Sequence, residues 1–271
     1  MNKIYGLCFS PAGNTEKIVR TIMEELAEKT GWTSEYLSIT TPEDRKFLPE
    51  FQQSDFVIAG TPTYAGRVPN KIMPYIRDSV KGQGSPCAVI VTYGNRSYDD
   101  ALIELGTLME ENGFRVTGGG AFVSEHSFAE KLATGRPDQE DLETARRLGQ
   151  NIGEKLEKKD YSRPELPGNK DFDAYYVPKG IDGKPAKFLK ARPVTDREKC
   201  TLCGKCRQVC PMGSISEEEN YEVTGICIKC QACIKVCPEH AKFFDDEAFL
   251  SHKAMLEKNF AEAEKVSEIY L

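Results

Sequence analysis

The sequence contains no long apolar run. No stretch of its 271 residues approaches the ~18 consecutive apolar residues that mark a transmembrane helix. The first apolar run, KIYGLCFS (3–10), is too short for a secretory signal peptide, and acidic residues follow it too early. An excess of positive charge is also missing, since the formal net charge is −6 and no broad basic face is evident. These absences predict a soluble, cytoplasmic protein that has no membrane span and does not bind nucleic acid.

The turn after this first apolar run lacks two nucleotide-binding signatures. FSPAGNTEK (9–17) has neither the Gly-Lys-Ser/Thr ending of a P-loop nor the three spaced glycines of a dinucleotide-binding turn. It does offer the side chains of Ser10, Asn14 and Thr15, together with backbone N–H groups at the start of a predicted helix. A loop this small suits one terminal phosphate, as in FMN. Without a lysine, the N–H groups and the helix dipole must neutralise that phosphate.

Cysteine is abundant but unevenly distributed. Two of the ten cysteines, Cys8 and Cys87, stand alone in apolar strands and are expected to be small core residues. The other eight form two runs, CTLCGKCRQVCP (200–211) and CIKCQACIKVCP (227–238), each with the spacing C-x2-C-x2-C-x3-C-P. Three thiolates at this spacing can hold three corners of a [4Fe–4S] cube. Zinc, the alternative metal, needs two cysteine pairs rather than two runs of four, and a reduced cytosol disfavours disulfides.

Strand and helix patterns alternate along the segment 1–160. Strands are predicted at 3–10, 34–39, 55–62, 87–94 and 114–125, and helices at 14–29, 70–80, 99–113 and 137–158. This alternation predicts an α/β fold with a doubly wound parallel sheet in the order 2-1-3-4-5. Residues 161–193 differ, because their five prolines and three glycines indicate a linker or a loosely wrapped extension. An amphipathic helix is predicted over 245–270.

The loops after the first, third and fourth strands are the candidate cofactor loops, since parallel sheets bind ligands at the carboxyl ends of their strands. In the loop after strand 3, Tyr64 is suited to cover a planar ring and Gly66 gives a backbone that can flip. In the loop after strand 4, Gly94 and Asn95 offer backbone donors and Tyr98 offers a second ring contact. Each loop alone can be an ordinary polar turn, but three of them at one edge favour a binding site. The candidate cofactor residues are Ser10, Pro11, Ala12, Gly13, Asn14, Thr15, Thr61, Pro62, Thr63, Tyr64, Ala65, Gly66, Thr92, Tyr93, Gly94, Asn95 and Tyr98.

Two further features have open interpretations. His126 follows the fifth strand at the same edge of the sheet, where either a structural or a functional role is compatible with its position. The acidic run Glu217–Glu219 is expected to form a solvated loop between the two cysteine motifs.

Both halves of the chain resemble known families. Residues 1–158 look like a flavodoxin, and SPAGNT (10–15) is similar to that family's hydroxyl-x-Thr-Gly-x-Thr phosphate loop. Ala12 replaces a hydroxyl residue of that loop, which removes one hydrogen bond to the phosphate. The cysteine region resembles the bacterial two-cluster ferredoxins, in which the fourth cysteine of each run ligates the other cluster. This resemblance implies one cluster on Cys200, Cys203, Cys206 and Cys237, and another on Cys227, Cys230, Cys233 and Cys210.

The whole chain resembles the fused flavodoxin–ferredoxin proteins of anaerobic bacteria. The resemblance implies a flavodoxin-like FMN domain at 1–160, a linker or extension at 161–193, a smaller α+β ferredoxin-like domain at 194–245 and a C-terminal helix at 246–271. It also implies a low-potential electron-transfer protein with FMN and two [4Fe–4S] clusters, which meets a separate electron donor and acceptor.

Two other functions compete with simple electron transfer. In the first, the flavin reduces a small molecule, such as a quinone, a nitro compound or an NAD(P)H-linked substrate, and the clusters supply its electrons. Such a reductase needs a pocket over the flavin ring. The second is a redox sensor, which needs an output domain, and none is evident in the sequence.

Overall fold

The computed structural model describes residues 2–216, 218 and 221–271. Two residues of the Glu217–Glu219 run, 217 and 219, therefore lie outside the described residues, and the expected loop there has no structural account. Strands and helices alternate through the first part of the chain: β1 (Lys3–Cys8), α1 (Asn14–Thr30), β2 (Thr33–Ser38), β3 (Phe56–Pro62), α2 (Met73–Ser79), β4 (Pro86–Tyr93), α3 (Ala101–Glu111), β5 (Arg115–Val123) and α4 (Gln139–Glu157). No helix within the described residues is both long and apolar enough to span a bilayer.

The predicted sheet is confirmed. Strands β1 to β5 are parallel and lie in the order 2-1-3-4-5, as in a flavodoxin-like fold. Nearly every residue of β3 and β4 is buried, because helices cover both faces of the sheet. Pro74 does not disturb α2, since it lies in the first helical turn, where proline is tolerated. Asp138 caps α4 through a capping box with Asp141.

The C-terminal segment differs from the prediction. The helix expected over 245–270 ends early, so that α7 spans Glu247–Phe260, and the chain then forms a short strand at Glu268–Tyr270. This strand, β10, pairs antiparallel with the edge of β5, and in the described part of the chain the sheet has six strands. A helical pattern of apolar residues cannot reveal this strand, because the free edge of β5 that it covers exists only in the folded sheet.

The extension at 161–193 is fixed to the first domain. Leu166 is buried, and its methyl groups lie against Gly106 of α3 and Gly119 of β5, at places where an added Cβ would clash with them. The glycine-rich part of β5 therefore permits close packing of the extension. Farther along, the backbone N–H groups of Asn169 and Asp173 donate to the carboxylate of the buried Asp100, at 2.8 and 2.7 Å.

The cysteine-rich unit is an internal duplication. It contains β6 (Val194–Thr195), α5 (Lys205–Gln208), β7 (Ile215–Ser216), β8 (Glu222–Val223), α6 (Ala232–Lys235) and β9 (Lys242–Phe243). Helix α6 follows α5 at the same interval in the chain as β9 follows β7. Strand β6 pairs with β9 and β7 pairs with β8, so each small sheet takes one strand from each repeat.

The cysteine-rich unit contacts the sheet domain beside its carboxyl-terminal edge. Arg45, in a short 3-10 helix after β2, donates to the carbonyl oxygen of Pro211 at 2.7 Å. Lys235 of α6 forms an ion pair with Glu125, which follows β5, with an N–O distance of 3.6 Å. The second repeat is thus held next to the loops in which the sequence predicts a cofactor site.

Candidate functional site

A cavity of about 210 Å³ lies at the carboxyl ends of β1, β3, β4 and β5. This is the position at which doubly wound sheets bind their ligands. Loops after all four strands line it, and so do the extension, α7 and the cysteine-rich unit. From the predicted cofactor set, the lining includes Ser10, Pro11, Ala12, Asn14, Thr15, Pro62, Thr63, Tyr64, Ala65, Thr92, Tyr93 and Gly94.

The loop at 10–15 presents the N-terminus of α1 to one end of the cavity. Gly13 has a φ of 87°, a conformation that favours glycine, and starts the helix without a side-chain cap. Ser10 Oγ accepts from the N–H of Glu16 at 3.0 Å, and Thr15 Oγ1 shares a hydrogen bond with Thr92 Oγ1 at 2.7 Å. The first N–H groups of a helix have no acceptor within the helix, so an anion can bind here with favourable dipole alignment.

The loop after β3 carries an unsatisfied polar group. The hydroxyl oxygen of Thr63 is buried and has no hydrogen-bond partner among the described residues, although Thr63 lines the cavity. Such orphaned hydroxyls are uncommon in folded proteins, and a ligand that hydrogen-bonds to Thr63 would satisfy this one. Tyr64, the next residue, also lines the cavity, and burial raises its pKa well above the ordinary tyrosine value, with Cys230 and Cys227 raising it further.

Five predicted cofactor residues do not line this cavity. Gly13 lies in the turn itself, and Thr61 is buried within β3. Gly66 lies against Asp99, where an added Cβ would clash with the carboxylate, so close packing accounts for it instead of a flip towards a ligand. Asn95 donates from Nδ2 to the carbonyl oxygens of Phe260 and Ala263, both at 2.8 Å.

Tyr98, which the sequence predicted as a second ring contact, is the fifth of these residues, and its contacts lie away from the cavity lining. Its hydroxyl is 2.9 Å from the hydroxyl of Tyr270 and 3.0 Å from Glu268 Oε2, both in β10. Its ring packs on Tyr93 at a centroid distance of 5.2 Å. Tyr98 therefore binds the last strand of the sheet, which the sequence did not reveal as a strand.

Sequence reasoning missed the residues that cover the cavity from outside the three predicted loops. They come from the turn after β5, the extension, the cysteine-rich unit and α7: Ser124, Glu125, Ser127, Phe128, Tyr176, Pro178, Phe188, Lys229, His252 and Leu256. Arg96, in the loop after β4, also lines the cavity and was not among the predicted residues. The extension contributes aromatic residues, but which part of the molecule they contact depends on how the chain folds back. Phe188 stacks on His252 with a centroid distance of 5.3 Å.

Two histidines line the cavity with opposite tautomers. Nδ1 of His126 accepts from the backbone N–H groups of Phe128 and Ala129, so its proton lies on Nε2 in the neutral ring. Nδ1 of His252 lies 2.8 Å from the carbonyl oxygen of Lys179, so Nδ1 is the donor and Nε2 the free acceptor. Burial lowers the pKa of His126 to about 3, and burial also lowers that of His252. Both rings are therefore neutral at physiological pH.

The cysteines gather into two sets, and each set combines both sequence runs. Cys200, Cys203 and Cys206 line one small cavity together with Cys237. Cys227, Cys230 and Cys233 line another together with Cys210. Within the described residues, no three His, Cys, Asp or Glu side chains converge closely enough to hold a single metal ion. Four cysteine thiols around one space are the donor set of an iron–sulfur cluster.

The backbone repeats its conformation from one set to the other. Leu202 and Lys229 both have a positive φ, of 56° and 58°, and so do Gly204 and Gln231, at 74° and 66°. Backbone N–H groups also point at sulfur at matching places, from Ser214 to Cys210 and from Ala241 to Cys237, both at 3.3 Å. A non-glycine residue in this region costs roughly 1–2 kcal/mol, which indicates that surrounding contacts hold Gln231 in the shape of the loop.

The Cys227 set adjoins the large cavity. Lys229, between Cys227 and Cys230, lines both that cavity and the Cys227 set. Tyr64 lines the large cavity, and the nearby Cys230 and Cys227 raise its pKa. The Cys200 set lies on the other side of the cysteine-rich unit, where Cys203 is exposed.

Comparison with known proteins identifies the cysteine-rich unit. Residues 192–238 match the family model of the 4Fe-4S dicluster domain. The chain is 36% identical over 64 residues to the pyruvate synthase subunit PorD of Methanocaldococcus jannaschii, covering 22% of this chain and 74% of that protein. It is 40% identical over 55 residues to an uncharacterized ferredoxin of the same organism, covering 18% of this chain and 70% of that protein.

Solved structures similar to the first part of the chain include flavodoxins. One from the domain Archaea is 19% identical, with a TM-score of 0.43, and the match covers 58% of this chain and 99% of that chain. Oxidised flavodoxin 2 from Bacillus cereus is 17% identical, with a TM-score of 0.42, and covers 59% and 99%. The flavodoxin-like fold of this domain follows from its strand order.

Proposed function

This chain belongs to the 4Fe-4S dicluster ferredoxins, here joined to a flavodoxin-like domain, and we propose that it transfers electrons between an FMN and two [4Fe–4S] clusters and on to an external redox partner. One observation carries the proposal. Lys229, from the loop between two cluster cysteines, lines the same cavity as the loop at 10–15. In this proposal the flavin site and one iron–sulfur site share a wall.

The cluster ligands in this proposal are the two crossed sets of cysteines. Cys200, Cys203, Cys206 and Cys237 hold the outer cluster, and Cys210, Cys227, Cys230 and Cys233 hold the inner one. Support comes from the two cavities that these sets line, and from the ligation known for the two-cluster spacing. All four corners are taken by thiolate, which leaves no open position for a substrate. The clusters therefore serve for transfer of single electrons.

We propose FMN as the flavin of the cavity at the carboxyl ends of the strands. The N-terminus of α1 suits one phosphate, and the sequence has no dinucleotide-binding turn. The unsatisfied hydroxyl of Thr63 and the ring of Tyr64 lie where the isoalloxazine would bind. FMN can hold one or two electrons, so it can couple the one-electron clusters to a two-electron partner.

External partners meet the outer cluster in this scheme. The inner cluster is enclosed between the sheet domain and the rest of the cysteine-rich unit, whereas Cys203 and Leu202 of the outer site are exposed. Residues of the extension and α7 cover part of the flavin cavity. An electron from a partner protein thus passes through the outer and the inner cluster before it reaches the flavin, or follows the same order in reverse.

The test is anaerobic purification followed by cofactor analysis and stopped-flow reduction. We expect FMN as the released flavin, iron and sulfide for two cubes, and flavin reduction that follows cluster reduction at a rate independent of protein concentration. FAD in the released flavin, or a rate that rises with protein concentration, would contradict the proposal.

The reductase remains a second candidate function, and a specific observation favours it. Two neutral histidines with opposite tautomers, His126 and His252, line the cavity. Electron exchange with a cluster needs no such groups, whereas reduction of a quinone or a nitro compound consumes protons that a ring N–H can relay. Steady-state assays with quinones, nitroaromatic compounds and NAD(P)H, on wild type and on His126→Gln, test it. Turnover that falls in the variant supports the reductase, and no turnover with any of them leaves electron transfer alone.

A further inference from the structure

Lys242 is a buried ammonium without a carboxylate partner. Only 3% of the residue is exposed. Its Nζ donates to Thr195 Oγ1 at 2.8 Å and to the carbonyl oxygen of Tyr221 at 2.6 Å. Among the described residues, no carboxylate lies within ion-pair distance of it. An unpaired buried ammonium costs several kcal/mol, so its presence indicates a nearby anion that these protein groups do not supply.

Both cysteine sets lie within the field of this ammonium. Lys242 lines the same space as Cys206, and its strand β9 lies against α6, which carries Cys233. Cys206 belongs to the outer set and Cys233 to the inner set. Lys242 itself lines the outer set. An iron–sulfur cluster with four thiolate ligands carries a net negative charge. The cluster is therefore the anion near Lys242 that the protein groups do not supply.

In the first repeat, the position equivalent to Lys242 carries no charge. Strand β7 begins at Ile215 in the first repeat, and β9 begins at Lys242 in the second. Ile215 is also 3% exposed and lines the inner set. Other cations lie near the inner set, since Lys229 lines it and Arg192 donates to the carbonyl oxygen of Val223, which also lines it. Lys229 is only half-buried and Arg192 is exposed, so water screens their charges more strongly than that of Lys242.

We propose that Lys242 is a built-in counter-charge for the clusters, which raises the reduction potential of both and that of the outer cluster most. The potential of such a cluster depends on the net charge around it, and a fixed cation favours the more negative reduced state. The asymmetry with Ile215 then makes an electron reside preferentially on the outer cluster, next to the exposed Cys203. This inference rests on the two-cluster assignment and not on the FMN.

The test is a redox titration of wild type, Lys242→Gln, Lys242→Met and the matched control Ile215→Met, followed by electron paramagnetic resonance. Glutamine keeps a donor for Thr195 without the charge. We expect both Lys242 variants to lower the potential of the outer cluster by at least about 59 mV, a tenfold change in a one-electron equilibrium. A smaller lowering is expected for the inner cluster, and none for either cluster in Ile215→Met.

Unchanged potentials in Lys242→Gln, or a larger effect on the inner cluster, would overturn the proposal. If both neutral variants lose iron, the iron content of Lys242→Arg distinguishes a role for the charge from a role for packing. Retention of both clusters in Lys242→Arg supports a role for the charge, and loss of iron in that variant as well shows that lysine acts through packing alone. The potentials are read from the cluster signals and not from the flavin, so failure here and failure of the proposed electron transfer to FMN are distinguishable.

Discussion

Tyr64 and Tyr98 follow neighbouring strands, yet the structure gives them different surroundings. Tyr64 lines the cavity beside Lys229, whereas Tyr98 binds β10 through Tyr270. In the loop after β4, Gly94 packs against His126 at the cavity, whereas Tyr98 lies away from the cavity. Of the two aromatic residues, the one that shares a wall with the inner cysteine set is therefore the candidate for contact with a flavin ring.

Replacing Tyr64 with Ala is expected to weaken FMN binding. Loss of an aromatic contact removes about 0.5–1.5 kcal/mol beyond the buried area. The electron-rich ring also disfavours a negatively charged reduced flavin, so the potential of the second reduction step should rise. Fluorescence titration of the apoprotein with FMN and a redox titration measure both effects. Tyr98→Ala is the control, and an equal loss of affinity in that variant would contradict the assignment.

Replacing Cys210 with Ala is expected to damage the cluster held by the second run of cysteines. Cys210 belongs to the first run in sequence but lines the cavity of Cys227, Cys230 and Cys233. Iron content should fall towards half, and electron paramagnetic resonance should lose the signal of the inner cluster. Cys237→Ala is the matched variant and should remove the outer one. Loss of the outer signal in Cys210→Ala would show that ligation is not crossed.

His126 is expected to make the protein less stable in mild acid. Its pKa is about 3 in the folded state because of burial, against ~6.5 when unfolded. As the pH falls from about 6.5 towards 3, the unfolded state takes up a proton that the folded state does not, so the free energy of unfolding falls. Urea unfolding at pH 7.5 and pH 5.0 should show a smaller acid loss in His126→Gln than in wild type. The exposed His240, changed to Gln, serves as control. An equal acid loss in His126→Gln and wild type would refute this role.

At the scale of elements, the extension at 161–193 is part of the first domain and of its cavity. Leu166 is buried between α3 and β5, while Tyr176 and Phe188 line the cavity wall. Strand β10 has a comparable role at the sheet edge, where Ser267 next to it donates to Asp141 at 2.6 Å. These segments hold the cover of the cavity in place.

Replacing Leu166 with Ala is expected to lower the free energy of unfolding of the first domain by about 2–5 kcal/mol, as for other buried leucines. Because the same segment carries Tyr176 and Phe188, the flavin should also become more accessible to solvent. Urea unfolding and quenching of flavin fluorescence by iodide measure the two effects. Leu189→Ala, at a residue that is 89% exposed, should change neither. Full stability in Leu166→Ala would show that the extension is not anchored there.

At the scale of the whole molecule, a few contacts hold the ferredoxin against the sheet domain. Arg45 donates to Pro211, and Lys235 pairs with Glu125. Arg45 also donates to the carbonyl oxygens of Ile39 and Thr40. One side chain therefore joins the segment after β2 to Pro211, the residue next to Cys210 of the inner set. The relative position of the flavin and cluster sites depends on such contacts.

Replacing Arg45 with Ala is expected to slow electron transfer between the clusters and FMN without changing the cofactor content. Each hydrogen bond to a charged group contributes roughly 1.5–3 kcal/mol, and the one to Pro211 crosses between the two units. Stopped-flow reduction measures the internal rate. Arg77→Ala, at an exposed arginine of α2, is the control. An unchanged rate in Arg45→Ala would show that this contact does not set the distance between the cofactors.

The sequence alone determined the two folds and the iron–sulfur chemistry of the cysteine-rich unit. Alternating buried strands and amphipathic helices specify a parallel sheet, because each pattern must bury its apolar face against the next element. The spacing of the eight cysteines specifies iron–sulfur ligation for a local reason, since three ligands of each run are close in the chain. The loop at 10–15 was identifiable for the same reason, as a single turn supplies the N-terminus of one helix.

Tertiary structure decided what depends on distant segments meeting. Whether Tyr98 or Asn95 faces the cavity depends on β10 and on the end of α7, both near the C-terminus and far along the chain from the loop they contact. The histidines, the aromatic cover and Lys229 reach the cavity only because the extension and the ferredoxin fold back over the sheet. The burial of Lys242 likewise arises from pairing between the two repeats. Local pattern carries no information on such contacts, because they are set by packing between units.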